Sequence, residues 1–265
     1  MSNGRKPGSV CQYNSPQQVH DGTTCLAEVA PPSQLGLCTK KGSPDFSWGY
    51  WDVVIWRYLP KWMGGDPTIL RNYKDHWVSE HRVAIKVQSR LYHLPPELLA
   101  GVAWIEAGGK PYSSKIDVYE FRKAVRLDVT RDGQPIYSLT KRPEMTSMGP
   151  VAIQLRRASE AMGVPYEKLS DADKSALVDC LQNADNDLAI VAKHLWQLKE
   201  IDYPGKTVLG KDEIRVIASR YNRGPDLTLD EVLRNTSYGD FIVNRIWDKV
   251  EGLLATGLNK SWSSS

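Results

Sequence analysis

Between residues 66 and 254 the apolar positions recur mostly at helical spacing, and the breaks between windows carry residues that stop helices. From Asp66 to His93 they fall at Ile69, Leu70, Trp77, Val83, Ala84, Val87 and Leu91, behind an Asp66-Pro67 pair suited to an N-cap and first turn. A second window opens at Pro95-Pro96, where a first turn tolerates proline, and runs through Leu98, Leu99, Val102, Trp104 and Ile105 to Glu106, until Gly108-Gly109 stops it. Further windows predict helices over 151–162, 171–182, 185–201, 211–221 and 240–254. Between Val118 and Thr140 the chain has β-rich pieces around Asp132-Gly133, a strong hairpin-turn signal, so a small β-hairpin is expected between helices. The predicted fold class is mainly α (α+β): a helical domain with one small β-hairpin and a loop-rich N-terminal extension, without an internal repeat.

That extension changes the picture at the start of the chain. Residues 1 to about 45 are rich in Gly, Pro, Ser, Thr and Gln and have no sustained period. Aromatics then crowd together at Trp48, Tyr50, Trp51, Trp56, Tyr58 and Trp62. Such rings stack on sugars, but their large apolar area makes packing of the extension onto the domain the stronger reading. The organisation expected is an extension over 1–65, a main domain over 66–259 and a tail over 260–265. Cys11, Cys25 and Cys38 lie in the extension and Cys180 in a helical window. Unpaired thiols, one disulfide among the first three, and a metal site completed by His20 are the readings open. Long, irregular spacings disfavour the metal, and none is expected.

Composition excludes more than it selects. With 265 residues and 41% hydrophobic content the chain is long enough for a substantial core. Lys and Arg (34) exceed Asp and Glu (31) by only three, too balanced for a nucleic-acid partner, though a mild positive bias suits an anionic polymer. Apolar runs such as 98–105 fall short of the roughly 20 residues of a membrane-spanning helix, so no span is expected. The polar N-terminus lacks the apolar stretch of a secretory signal, so the expectation is either a cytoplasmic protein or export by another route.

Glu106 is the candidate for chemistry. It ends an apolar helical run, where desolvation and the negative end of the helix dipole both disfavour its charged form. A carboxylic acid that stays protonated near neutral pH is what cleavage of a glycosidic bond requires. Taken alone, a helix-end glutamate is more often a solvated surface charge; its neighbours along the chain alter that balance.

The stretch Leu94-Pro-Pro-Glu-Leu-Leu-Ala-Gly-Val-Ala-Trp-Ile-Glu106 resembles the catalytic helix of lytic transglycosylases and goose-type lysozymes of the lysozyme superfamily. Three further stretches follow in that family's order. Ser147-Met-Gly149-Pro150 resembles its Ser-x-Gly segment. Residues 181–195, with Asn183, Asn186 and Asp187, resemble the helix after its Asn-Pro-Glu-Asn type turn. Tyr221-Asn222-Arg-Gly224-Pro225 is similar to its Tyr-Asn-x-Gly-Pro motif. The resemblance covers residues 94–225. It implies a lysozyme-like domain, with Glu106 as general acid and base, Tyr221 beside it, and Ser147, Gly149, Gln154, Asn222 and Gly224 at the substrate. Tyr221 and Asn222 also suit a sugar cleft chemically, the amide both donating to and accepting from an N-acetyl group.

Two positions depart from the family's pattern. Ala152 stands where a Gln three residues after the Gly is common, with Gln154 as its local substitute, and Ala107 follows the acid where Ser is usual. A hydrolase needs a second carboxylate. Asp117, Glu120, Asp128 and Glu144 are available, and Glu144 is the best placed because it adjoins Ser147. Without one, the family mechanism implies that Glu106 works alone and that the sugar's own 6-hydroxyl attacks, leaving a 1,6-anhydro-muramic product. A non-catalytic wall-binding protein that keeps the groove is the reading from another class.

The preferred expectation is a peptidoglycan lytic transglycosylase without cofactor, acting on glycan strands between MurNAc and GlcNAc. Export without a signal peptide suits an antibacterial toxin delivered to a target's periplasm by a secretion machine, such as a type VI effector. A cognate immunity protein is then the expected partner.

Overall fold

In the computed structural model the described residues are 37–39, 48–125, 128–131, 134–138 and 141–256. The helices in chain order are α1 (Tyr50–Arg57), α2 (Ile69–Glu80), α3 (Arg82–Leu91), α4 (Pro96–Glu106) and α5 (Tyr112–Ala124). An antiparallel hairpin follows, β1 (Asp128–Arg131) with β2 (Gln134–Ser138), then a two-residue pairing of β3 (Ser147–Met148) with β4 (Ile153–Gln154). The rest is α6 (Leu155–Ala161), α7 (Asp171–Cys180), α8 (Ala184–Asp202), α9 (Lys211–Arg223), α10 (Leu229–Leu233), α11 (Ser237–Phe241), a π-helical turn (Ile242–Ile246) and α12 (Trp247–Thr256). The protein is thus mainly helical with a small antiparallel hairpin, the class its periodicity predicts.

Helix α4 is the axis of the fold. Pro96 presets its first turn, and Leu98 through Ala103 are buried without a break, because α2, α3, α8, α12 and the π turn surround it. A side chain at Gly101 would stand 2.7 Å from Ile242 Cγ2, so the absence of one lets the π turn lie against the helix. Trp77, Leu98, Leu99, Ile190, Leu195, Ile217 and Val250 are fully buried around this axis. Helix α8 is equally enclosed, and its first turn is capped by Asn183, whose Oδ1 accepts from the amides of Asp185 and Asn186 at 3.1 and 3.2 Å.

Several elements differ from the periodicity reading. The window over 66–93 is two helices that meet at His81, and Asp66 caps a turn by accepting from the Thr68 amide at 2.8 Å. Residues 118–124, read as β-rich, belong to α5: Pro111 sets its entry, and Tyr119 is buried from its inner face while Val118 and Phe121 stay exposed. The hairpin proper begins at Asp128, with a register shift between Val129 and Thr130; its turn at 132–133 lies outside the described residues. The window over 151–162 does not start as helix. Gly149 (φ 72°) and Ala152 (φ 55°) turn the chain back so that Ser147 pairs with Gln154, and helix starts only at Leu155. The last window starts earlier, at Ser237, and contains the π turn.

Helix α1 falls inside the segment read as loop-rich. Trp48 packs in the core, 4.9 Å from the ring of Tyr73 and 6.4 Å from that of Trp56, whereas Tyr50, Trp51, Tyr58 and Trp62 are exposed. The cysteines are corrected as well: Cys38 is disulfide-bonded to Cys180, not to a neighbour in the extension. The spacing could not reveal this, since the partners are 142 residues apart and meet only when α7 is docked. Cys11, Cys25, His20 and the tail over 260–265 lie outside the described residues. Among the described residues, no helix is long and apolar enough to cross a membrane, and no group of three His, Cys, Asp or Glu side chains gathers to hold a metal ion.

Candidate active site

Glu106 is the last residue of α4, and the chain leaves the helix through extended Ala107 and two left-handed glycines, Gly108 (φ 76°) and Gly109 (φ 82°). A Cβ on Gly108 would stand 2.7 Å from Leu70 Cδ1, so α2 presses directly on this exit. The carbonyls orphaned at the helix end are met from α2. Lys74 Nζ donates to Trp104 O at 2.8 Å and also to Ile105 O. Burial lowers Lys74 to about 8, while the charge of Glu106 acts to raise it.

The acid faces a cleft of 330 Å³. Ser147 and Gln154 line it from the paired ends of β3 and β4, Tyr221, Asn222 and Gly224 from the end of α9, and His194 from α8. Five of the residues proposed from sequence to contact substrate or acid therefore share one cavity with Glu106. Gly149 does not line it. It sits behind the β3–β4 turn, where a side chain would overlap the Asp187 carboxyl and come within 2.7 Å of Leu181 O. Glu144 is also elsewhere. It lies on a short 3₁₀ turn and lines a separate hollow of 360 Å³ with Tyr119, Arg142 and Tyr166, and it is 3.8 Å from the Arg142 guanidinium. Adjacency to Ser147 misleads because the chain turns extended at Thr146, which puts the two side chains into different cavities. Asp117 and Glu120 are exposed on α5, and the side chain of Asp128 lies outside the described residues. Among the described residues, the carboxylates lining the cleft are Glu106 and Asp226, and Asp226 is exposed and 3.2 Å from Arg157.

Burial raises the pKa of Glu106 above the ordinary glutamate value; a hydrogen bond from Tyr238 and the charges of Lys74 and Lys115 pull against this without overcoming it. Tyr238 donates its hydroxyl to Glu106 Oε1 at 2.9 Å. The expected neighbour, Tyr221, instead donates to Val151 O at 3.1 Å, so it ties α9 to the β3–β4 turn. Both phenols are held protonated by burial first and by the nearby Glu106 charge second. Their rings are 6.3 Å apart, and Tyr221 lies 5.9 Å from the ring of His194. Burial, reinforced by Arg157, lowers His194 to about 4, so at neutral pH it presents an uncharged imidazole to the cleft.

Tyr221 and Asn222 are placed by a buried ion pair one residue earlier. Arg220, almost fully enclosed, grips Asp202 at the end of α8 through Nη2 at 2.7 Å and through Nε, and donates to Leu227 O at 2.8 Å. Gly224 (φ 100°) ends the helix and lets the chain turn there. Tyr238 and His194 were not found by sequence reasoning. Tyr238 is 132 residues from its partner in a short polar segment with no period, and His194 sits in an α8 window whose pattern reads as core.

A half-buried carboxyl that resists ionisation, capped by a phenol and facing amide, hydroxyl and imidazole groups, can deliver a proton to a neutral polar ligand and take it back. No protein-family model matches the chain, and comparison with curated proteins and with solved structures finds no match.

Proposed function

We propose that this protein is a lytic transglycosylase of peptidoglycan that cleaves the MurNAc–GlcNAc β-1,4 bond with Glu106 as its general acid and base. The observation that carries the reading is the gathering of Ser147, Gln154, Tyr221 and Asn222 around a glutamate whose burial favours the protonated form. Glu106 gives its proton to the glycosidic oxygen as the bond to C1 breaks. The resulting carboxylate then takes the proton of the sugar's 6-hydroxyl as that oxygen bonds to C1, which closes the anhydro ring and restores the acid. One acid suffices for both steps, and this fits a cleft whose other described carboxylate, Asp226, is exposed and engaged by Arg157. Hydrolysis through Asp226 is the second reading. Purified sacculi digested with the protein are expected to release muropeptides with anhydro ends, identified by mass spectrometry. Reducing ends would establish hydrolysis instead, and undigested sacculi would leave the wall-binding reading.

The disulfide between Cys38 and Cys180 supports a site of action in an oxidising compartment, in keeping with a toxin that acts in a target's periplasm. A secretion-machine component and a cognate immunity protein are the partners this reading calls for.

Tyr238 supplies a pH test. Its hydrogen bond favours the charged form of Glu106, so Tyr238→Phe lets the acid keep its proton to higher pH. The alkaline limb of the pH–rate profile is expected to move upward while the maximal rate falls by about tenfold through loss of orientation. An alkaline limb that stays in place would mean that the hydroxyl does not touch the acid in the working enzyme.

A further inference from the structure

The turn that carries Ser147 and Gln154 into the cleft is an awkward piece of chain. Gly149 and Ala152 are both left-handed, and Ala152 has a side chain that makes this conformation costly. Its own hydrogen bond, Ala152 N–H to Gly149 O, is 3.2 Å. What holds it are three side chains from three helices, each on a different backbone group. Asp187 Oδ2 of α8 accepts from the Val151 amide at 2.7 Å, Lys115 Nζ of α5 donates to Gly149 O at 2.6 Å, and Tyr221 of α9 donates to Val151 O. Asp187 is fully buried, and its other oxygen, Oδ1, has no hydrogen-bond partner among the described residues. A buried carboxylate with one idle oxygen is a poor choice for stability alone. The empty position on Gly149 is where that carboxyl lies.

We propose that Asp187 and Lys115 are positioning residues that clamp the 149–152 turn from behind and so hold Ser147 and Gln154 in register with Glu106. Lys115 acts on both sides of the cleft wall, since its charge is felt by Asp187 and by Glu106. Burial lowers the pKa of Lys115 against the pull of these two carboxyls, with Lys110 also lowering it; burial raises that of Asp187 against the Val151 amide and Lys115. Among the described residues, the other ionisable groups that interact with Glu106 are Lys74, Tyr221 and Tyr238, and those that interact with Asp187 are Lys115 and Tyr221.

The positioning claim is tested without any assay by residue-resolved hydrogen exchange, so it is separable from the transglycosylase reading on which its kinetic part rests. Asp187→Ala is expected to speed exchange of the Val151 amide by about a hundredfold, whereas Asp187→Asn, whose amide oxygen still accepts, stays within about threefold of the native rate. In kinetics on glycan strands the Ala variant loses kcat and the Asn variant recovers most of it. Lys115→Met removes a cation that favours ionised Glu106, so the alkaline limb of the pH–rate profile moves upward. Equal exchange in wild type and Asp187→Ala, an Asn variant no better than Ala, or an unmoved limb in Lys115→Met would each overturn the proposal. A wild type that cuts no strands, with exchange behaving as stated, would sink the enzymatic reading and leave the clamp standing.

Discussion

Glu106→Gln is expected to abolish strand cleavage, with a loss of at least about a thousandfold, while the variant still binds sacculi. The replacement has the same shape, and its amide oxygen can still accept from Tyr238, so the cleft wall keeps its form. Only the transferable proton is gone. Stability should move the other way. Burial makes the folded protein hold the Glu106 proton more tightly than the unfolded chain does, so the native state loses ground as pH rises above the ordinary glutamate range. Glutamine has no such cost, and the melting temperature of the variant relative to wild type should therefore rise from acidic to neutral pH. Pelleting with sacculi, muropeptide release and paired melting curves check all three parts. Cleavage within tenfold of wild type would remove Glu106 from the chemistry.

The second large effect concerns stability. Cys38→Ser, or reduction of the native protein, is expected to lower stability by about 3–4 kcal/mol, because the bond closes a loop longer than 100 residues in the unfolded chain. For a domain of this size that corresponds to a fall in melting temperature of roughly 10 °C. The bond also bears on the cleft. Cys180 ends α7, its carbonyl accepts from Asn186 Nδ2 at 3.2 Å, and Asn186 lies in the first turn of α8 beside Asp187. Melting curves with and without reductant test this directly: the wild type should shift and Cys38→Ser should not. A wild type indifferent to reductant would mean the bond contributes nothing.

Which parts of the site were legible depended on distance along the chain. The start of α4 was legible because Pro95-Pro96 acts locally, and its end because two glycines admit left-handed backbone. Tyr221, Asn222 and Gly224 were legible as a helix end with a motif, and they do meet Glu106 at the cleft. Glu144 was misplaced because nearness in sequence says little about which cavity a side chain enters when the backbone between is extended. Gly149 was expected at the substrate, but the group that approaches it is the Asp187 carboxyl, which leaves no room for a side chain there.

Most of the helices and their order could be read from the residue pattern, since apolar spacing, prolines and glycines act within a few turns of chain, whereas α1, α5 and α10 could not. Tertiary structure alone decided that Tyr238 touches the acid, that Lys74 caps its helix, that Cys38 finds Cys180 and that Asp187 and Lys115 hold a strained turn. Each of these contacts joins a side chain to a distant segment and leaves no periodic trace, and burial, which shifts the titrating groups among them, exists only once the helices have packed.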